Sequence, residues 1–322
     1  MQQHRDGRRD GTSRAVRLEA FGGPEALVLR DVPEPQAGEG QIRVRVTAAG
    51  LNPMDWVMTA DAGTAARFGL SLPAGFGTDY AGVVDQVGTG ASGYATGDRV
   101  FGAALSRAVA DHVVVDADGD IATGVAHHTP DGVDDRTAAT LSIAGSTAAA
   151  ALDVLGLGPD DTVLIGAAGG GVGVFAVQMA RIAGARVIGT GSPSSAEHLR
   201  GLGAEPVAYG EGLAERVRAL GVGPVTAALD LHGTDTVRVA RELGVPDGRI
   251  CTIAGQVDGV PAANGADAAP GTLDHIARLV AEGRLRVPVA AVYPVEDIRA
   301  AVELQAARHV RGKVVIDLLP RP

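Results

Sequence analysis

The sequence predicts a mixed α/β protein, a small antiparallel β barrel joined to a doubly wound parallel sheet. Three observations predict it. The first part of the chain carries many short strand-like runs punctuated by Gly, Pro and Asp. A later part alternates apolar strand runs with alanine-rich helical ones, and a glycine cluster stands where the first of those strands meets its helix. With 322 residues there is room for both units and their cores.

Composition narrows the function classes. A chain that is 46% hydrophobic and 20% charged is not disordered. A formal net charge of −10 supplies no positive field for phosphates, which argues against a nucleic-acid partner. The single cysteine, Cys251, excludes an intramolecular disulfide framework and Cys-cluster zinc sites. No apolar run is long enough to span a membrane and no secretory h-region stands near the start, so a cytoplasmic protein without a membrane partner is expected. Forty-six glycines, and one lysine (Lys313) among many arginines, mean that only spaced patterns carry weight.

In order along the chain, residues 1–13 form a polar leader without periodicity, expected to be disordered. Ala15 to Leu18, Leu27 to Leu29 and Ile42 to Val46 read as strands, the last alternating apolar and basic residues. Gly22-Gly23-Pro24 and Pro33-Glu34-Pro35 are the turns between them. Gly82 to Gly88, Asp98 to Gly102 and His112 to Val115 continue the barrel, so 14–130 is its first part. From about residue 131 the texture changes. Asp134 to Leu155 reads as a helix opened by Asp134 and Asp135. Thr162 to Ile165, a helix through Arg181, and Arg186 to Thr190 make a strand–helix–strand unit of about thirty residues. Alternation continues through Leu199, Val207 to Tyr209, Val225 to Leu229, Asp235 to Leu243, Arg249 to Ile253 and Leu273 to Val280, so 131–284 is the nucleotide-binding unit. A final strand–helix–strand run, Val287 to Tyr293, Pro294 to Ala307 and Lys313 to Leu318, returns in 285–322 to the first unit.

The glycine loop carries the chemistry. Spaced as A-x-x-G-x-x-G, Ala167, Gly170 and Gly173 lie between strand and helix, where a pyrophosphate meets bare N–H groups at the positive end of the helix. Ala168, Gly170, Gly171, Val172 and Gly173 are the candidate contacts, Gly170 and Gly171 for phosphate approach and Gly173 for close packing. After the second strand come Thr190, Ser192 and Ser194, hydroxyls with no carboxylate until Glu197. Without an acid to repel a 2′-phosphate, NADPH (NADP+) is favoured over NADH, although no basic residue stands in that loop.

With these pieces in place the chain resembles the zinc-independent quinone oxidoreductase (zeta-crystallin-like) branch of the medium-chain dehydrogenase/reductase superfamily. The resemblance rests on Phe21-Gly22-Gly23-Pro24-Glu25, Ala48 to Trp56, Gly77 to Val84, Gly97 to Gly102, Ala144-Gly145-Ser146-Thr147-Ala148, the glycine loop and Arg311-Gly312-Lys313-Val314-Val315, in that order. It implies a GroES-like barrel, a Rossmann unit, NADPH between them and a homodimer. It also implies that Asn52 lies beside nicotinamide and substrate, with Asp55 the acid of the same turn. Thr147 would contact the cofactor, and Tyr209 would lie near the adenosine 2′-phosphate. The chain departs from the pattern at Ser194-Ser195, where relatives carry a basic residue. Between Ile253 and Leu273 it has little strand character where relatives supply an edge strand for dimerisation.

Leu51 to Asp55 cannot form a tetrahedral N/S zinc site, and adjacent His127 and His128 read as exposed loop histidines, so no metal is expected. Cys251, in an apolar strand, reads as an inert core residue. Tyr80 is a candidate proton donor, Trp56 a candidate cleft residue, and Asp55 either a catalytic acid or a turn acid. The expected activity is hydride transfer from NADPH to a small-molecule quinone or α,β-unsaturated carbonyl, whose delocalised product charge needs no zinc. Two alternatives stand beside it: a nucleotide-binding redox sensor or scaffold without turnover, and an enoyl-thioester reductase.

Overall fold

In a computed structural model, which describes residues 11–121 and 123–319, a barrel and a parallel sheet meet across one of the molecule's apolar cores. The barrel is built round the long strand Gln41–Leu51. It pairs antiparallel with Asp79–Val87 on one side, and with His112–Asp116 and Lys313–Asp317 in turn on the other. Arg99–Ala103 and Val125–His128 extend the sheet past Asp79–Val87, and Val289–Pro294 lies parallel to Lys313–Asp317. Alternation explains the orientation of the long strand. Ile42, Val44 and Val46 are buried, while Arg43 turns outward to Glu34 at 2.6 Å and Asp85 at 2.8 Å. Thr12–Leu18 pairs with Leu27–Pro33 and Ala74–Gly75 in a small second sheet.

The parallel sheet has the order Glu205–Ala208, Arg186–Gly191, Thr162–Ile165, Ala227–Asp230, Ile250–Thr252. Its middle strand is buried on both faces. Val163 and Ile165 point into a core that holds Phe175, Ala148 and Ile276, and Leu164 points into another with Val217 and Val237. The first of these cores also contains Ala48, Ala81, Phe101 and Val315 from the barrel, so apolar packing is continuous between the two sheets.

Several expectations change. Residues 1–10 of the leader lie outside the described residues, but Thr12 and Ser13 begin a strand. Ser13 is buried opposite Val32 and its hydroxyl meets His112 Nδ1 at 3.2 Å. The expected helix from Asp134 is two helices, Asp135–Ala138 and Ser142–Leu155, and Asp134 caps the first by accepting from Thr137 N. His127 and His128 belong to the strand Val125–His128: His127 stacks on Phe101 and pairs with Asp274, and His128 stacks on Tyr94. The helices Ala62–Arg67 and Leu213–Ala219 carry no clear signal in the sequence. In the 254–272 stretch, Pro261 and Ala263 bond to Thr252 and cover the free edge of the parallel sheet. Among the described residues no helix is long and apolar enough to cross a membrane.

Candidate functional site

The long barrel strand ends in a one-turn helix, Pro53–Val57, with Asn52 at its start and Pro53 fixing the first helical position. Asp55 accepts from Asn52 N at 2.7 Å and, through its other oxygen, from Thr78 Oγ1 at 2.7 Å. Both oxygens are thus spent on holding the turn. Next to it, Asp79 accepts from Asn52 Nδ2 at 2.9 Å and from Ile143 N, in the first turn of helix Ser142–Leu155, at 3.1 Å. The remaining group is Lys313, whose Nζ lies 2.5 Å from Asn52 Oδ1 and 3.8 Å from Asp79 Oδ2. All five side chains, Asn52, Asp55, Thr78, Asp79 and Lys313, are buried.

Two carboxyls and one ammonium in a buried site do not balance as full charges. Burial lifts Asp55 to about 7, opposed by the hydrogen bonds from Thr78 and Asn52. Burial lifts Asp79 to about 6 against the pull of Lys313. Burial lowers Lys313, and Asp79 and Asp55 draw it back up.

Lys313 enters this site from beneath the glycine loop. Gly312 N donates to Gly169 O at 2.9 Å, and Lys313 N to Pro288 O at 2.9 Å. A Cβ on Gly171 would lie 3.3 Å from Lys313 Cδ, so the lysine stem runs directly under the loop. The loop itself turns on Ala167, not on a glycine: Ala167 has φ +50°. Gly170, Gly171 and Gly173 all lie outside the left-handed region, so these glycines are there for space and not for backbone freedom.

Not every expected loop contact is free. Ala168 N donates to Thr190 O at 3.1 Å, Gly170 N to Ala167 O at 3.0 Å, and Ala167 N to Thr190 Oγ1 at 3.2 Å. Thr190 is therefore a brace of the loop, buried under it. Among the described residues the N–H groups of Gly171, Val172 and Gly173 have no hydrogen-bond partner, and they stand at the start of helix Gly173–Ile182. A Cβ on Gly170 would meet only Ala167 O, at 3.4 Å. Open N–H groups and open space fit a pyrophosphate.

At the end of the second parallel strand, Ser192 Oγ and Ser194 Oγ are 3.0 Å apart. Arg311 Nη2 donates to Ser194 Oγ at 2.7 Å. The missing basic residue of that loop thus arrives from the C-terminal segment. Tyr209 follows on the next strand's end, its N–H on Gly191 O and its ring exposed. Thr147 is half-buried and donates its hydroxyl to Ile143 O at 2.6 Å, one turn from the Ile143 N that holds Asp79.

Of the expected catalytic residues, the structure brings Asn52 and Asp55 together and separates Tyr80. Adjacent strand residues face opposite sides, so while Asp79 faces Asn52, Tyr80 points into the barrel core. Its hydroxyl donates to Val125 O at 3.0 Å, and burial raises its pKa above the ordinary tyrosine value. Trp56 donates Nε1 to Gln305 Oε1 at 3.1 Å under the Arg308 guanidinium. Lys313, Asp79 and Arg311 were missed as site residues. The signal for Lys313 was present: it is the only lysine in the chain.

The alcohol dehydrogenase GroES-like domain family matches residues 38–132, and the zinc-binding dehydrogenase family matches residues 202–316. A quinone oxidoreductase of Pseudomonas aeruginosa is 34% identical over 260 residues, 77% of this chain and 76% of that protein. The solved quinone oxidoreductase of Coxiella burnetii matches with a TM-score of 0.83 at 28% identity, covering 96% of this chain and 100% of that one. The CurK enoyl reductase structure matches with a TM-score of 0.82 at 25% identity, over 95% and 99% of the two chains.

Proposed function

The chain belongs to the quinone oxidoreductase branch of the medium-chain dehydrogenase/reductase superfamily, and from that premise we propose that it transfers hydride from NADPH to a quinone or α,β-unsaturated carbonyl. One observation carries the reading: the Asn52 turn of the barrel is tied to the glycine loop of the parallel sheet by Gly312 and Lys313, so both halves of the site meet. When bound, the cofactor supplies the hydride. The open N–H groups of Gly171, Val172 and Gly173 hold the pyrophosphate, and Ser192, Ser194 and Arg311 hold the 2′-phosphate, beside Tyr209. Thr147 and Asn52 orient the nicotinamide end and the acceptor carbonyl. With Tyr80 in the barrel core, the proton that completes reduction comes from water.

The site is read as working without zinc on the chemistry of its donors. The turn offers neither thiolate nor imidazole, and the oxygens of Asp55 and Asp79 are already engaged. A conjugated acceptor suits such a site, because the charge left by hydride addition spreads over the conjugated system. The reading also includes a cytoplasmic homodimer.

A second reading, an enoyl-thioester reductase, is favoured by the likeness to CurK enoyl reductase. One experiment separates the two. Nicotinamide absorbance is followed with NADPH or NADH against quinones, simple enones and enoyl thioesters. The expected result is NADPH consumption with quinones or enones. Preference for thioesters selects the second reading, and tight binding without turnover on any acceptor selects a sensor or scaffold.

A further inference from the structure

The chain has 28 lysines and arginines, and Lys313 is the one lysine among them. Arginine serves every other fixed cation, on the surface and in the barrel wall. At this single position the chain keeps a slim stem and a compact ammonium. The stem passes below Gly171, and the side chain is 2% exposed.

The ammonium has a defined task. A carboxamide has an acceptor end and a donor end, and nothing in its own shape prevents a flip. Here Lys313 Nζ donates to Oδ1 of Asn52, and Asp79 Oδ2 accepts from Nδ2. Lysine cannot accept and an ionised carboxylate cannot donate, so the flipped amide would face both partners with the wrong end. Resting on the function proposed above, we propose that Lys313 is a positioning residue for hydride transfer. It locks the Asn52 carboxamide in one orientation, so that the one uncommitted Nδ2 proton is the hydrogen bond Asn52 offers to the reacting pair. Neither Lys313 nor Asp79 needs to touch substrate. They act through Asn52.

Two measurements test it. In the first, Lys313→Met is compared with Lys313→Met/Asp79→Asn for turnover, NADPH affinity by fluorescence, and thermal melting. The single variant leaves Asp79 buried without its counter-charge and lowers the melting temperature, and the double variant recovers much of that loss. Positioning requires that kcat stay down in both, on the order of a hundredfold, with NADPH Kd changed by less than about threefold. A double variant that regains kcat together with stability overturns the proposal, for then the lysine only held the fold.

The second measurement is independent of turnover. The sequence has two asparagines, Asn52 and Asn264, so 15N-asparagine labelling yields two side-chain carboxamide signals. Asn264 is an exposed capping residue and serves as the control. In the wild type the Asn52 pair is single, and in Lys313→Met it splits or broadens as the amide samples both orientations. A single Asn52 pair that is unchanged by Lys313→Met overturns the proposal. If the wild type reduces no acceptor, the reaction assigned above fails, while the carboxamide signals still decide whether the lysine sets the amide.

Discussion

At the scale of single residues, the loop glycines divide by what a side chain would meet. On Gly170 a Cβ finds only Ala167 O at 3.4 Å, whereas on Gly173 it finds Ala168 O at 2.5 Å and Ala167 O at 2.6 Å. Gly170→Val is expected to fold and melt close to wild type but to lose NADPH binding in a fluorescence titration. Gly173→Val is expected to lose about 2–3 kcal/mol in denaturant unfolding. The cause is the loop's own carbonyls under the first helical turn, not the helix being forced off the strand. Asp55 gives a pH-dependent expectation. Its folded pKa, lifted to about 7, lies above the unfolded value, so the fold favours the neutral acid. Its contribution is complete below about pH 4 and is lost as pH rises toward 7, by about 1.4 kcal/mol per unit. The unfolding free energy of wild type minus that of Asp55→Asn should therefore fall from pH 4 to pH 7; a flat or rising difference would contradict it. Residues of this kind are only half readable in a sequence. Asn52 and Asp55 stand out because a motif spaces them, but Asp79 and Lys313 are 234 positions apart and meet only through the barrel's strand pairing.

At the scale of elements, the bend entering the last strand carries more than its length suggests. Gly312 has φ +100°, and a Cβ there would lie 2.1 Å from Pro288 O. Gly312→Ala combines a left-handed backbone with a clash against main chain, and about 3 kcal/mol of stability should be lost. Because Gly312 also bonds to Gly169, the same change should weaken NADPH binding. Calorimetry beside a cofactor titration checks both. The barrel strands and the strand–loop–helix unit were readable because period-two alternation and the glycine spacing are local signals. Leu213–Ala219 was not: its polar face is three charged residues in seven, and only packing against the parallel sheet shows its buried side, Leu213, Ala214 and Val217. The two histidines of Val125–His128 hid a strand for a related reason, since polar residues there are held by stacking and a partner across the chain.

At the scale of the molecule, the last segment is what makes one site of two sheets. It donates a strand to the barrel, Gly312 to the glycine loop, Lys313 to Asn52, and Arg311 to Ser194. NADPH was favoured from the missing carboxylate alone, and the cation beside that loop was not legible, because Arg311 meets Ser194 from more than a hundred residues further on, a distance no local pattern spans. Arg311→Ala should raise the Kd for NADPH roughly tenfold or more and leave that for NADH nearly unchanged, as expected for one charge-assisted hydrogen bond to phosphate. Raising the salt concentration should narrow the difference in the wild type, because Arg311 is exposed. Equal losses for both nucleotides would place the arginine elsewhere than at the 2′-phosphate.

The solitary lysine under the glycine loop also gives the protein a chemical clock. Acylating reagents that take ε-amines find a single target in the entire sequence, and it is shut inside the junction of the two sheets. Reagent can reach it only when that junction opens, so the rate of mass gain at Lys313 reports opening alone, unmixed with surface labelling. NADPH, which the proposed function seats against both sides of the junction, should slow that rate in proportion to its occupancy. A peptide-resolved acetylation time course would thus time the opening of the cleft with no introduced probe.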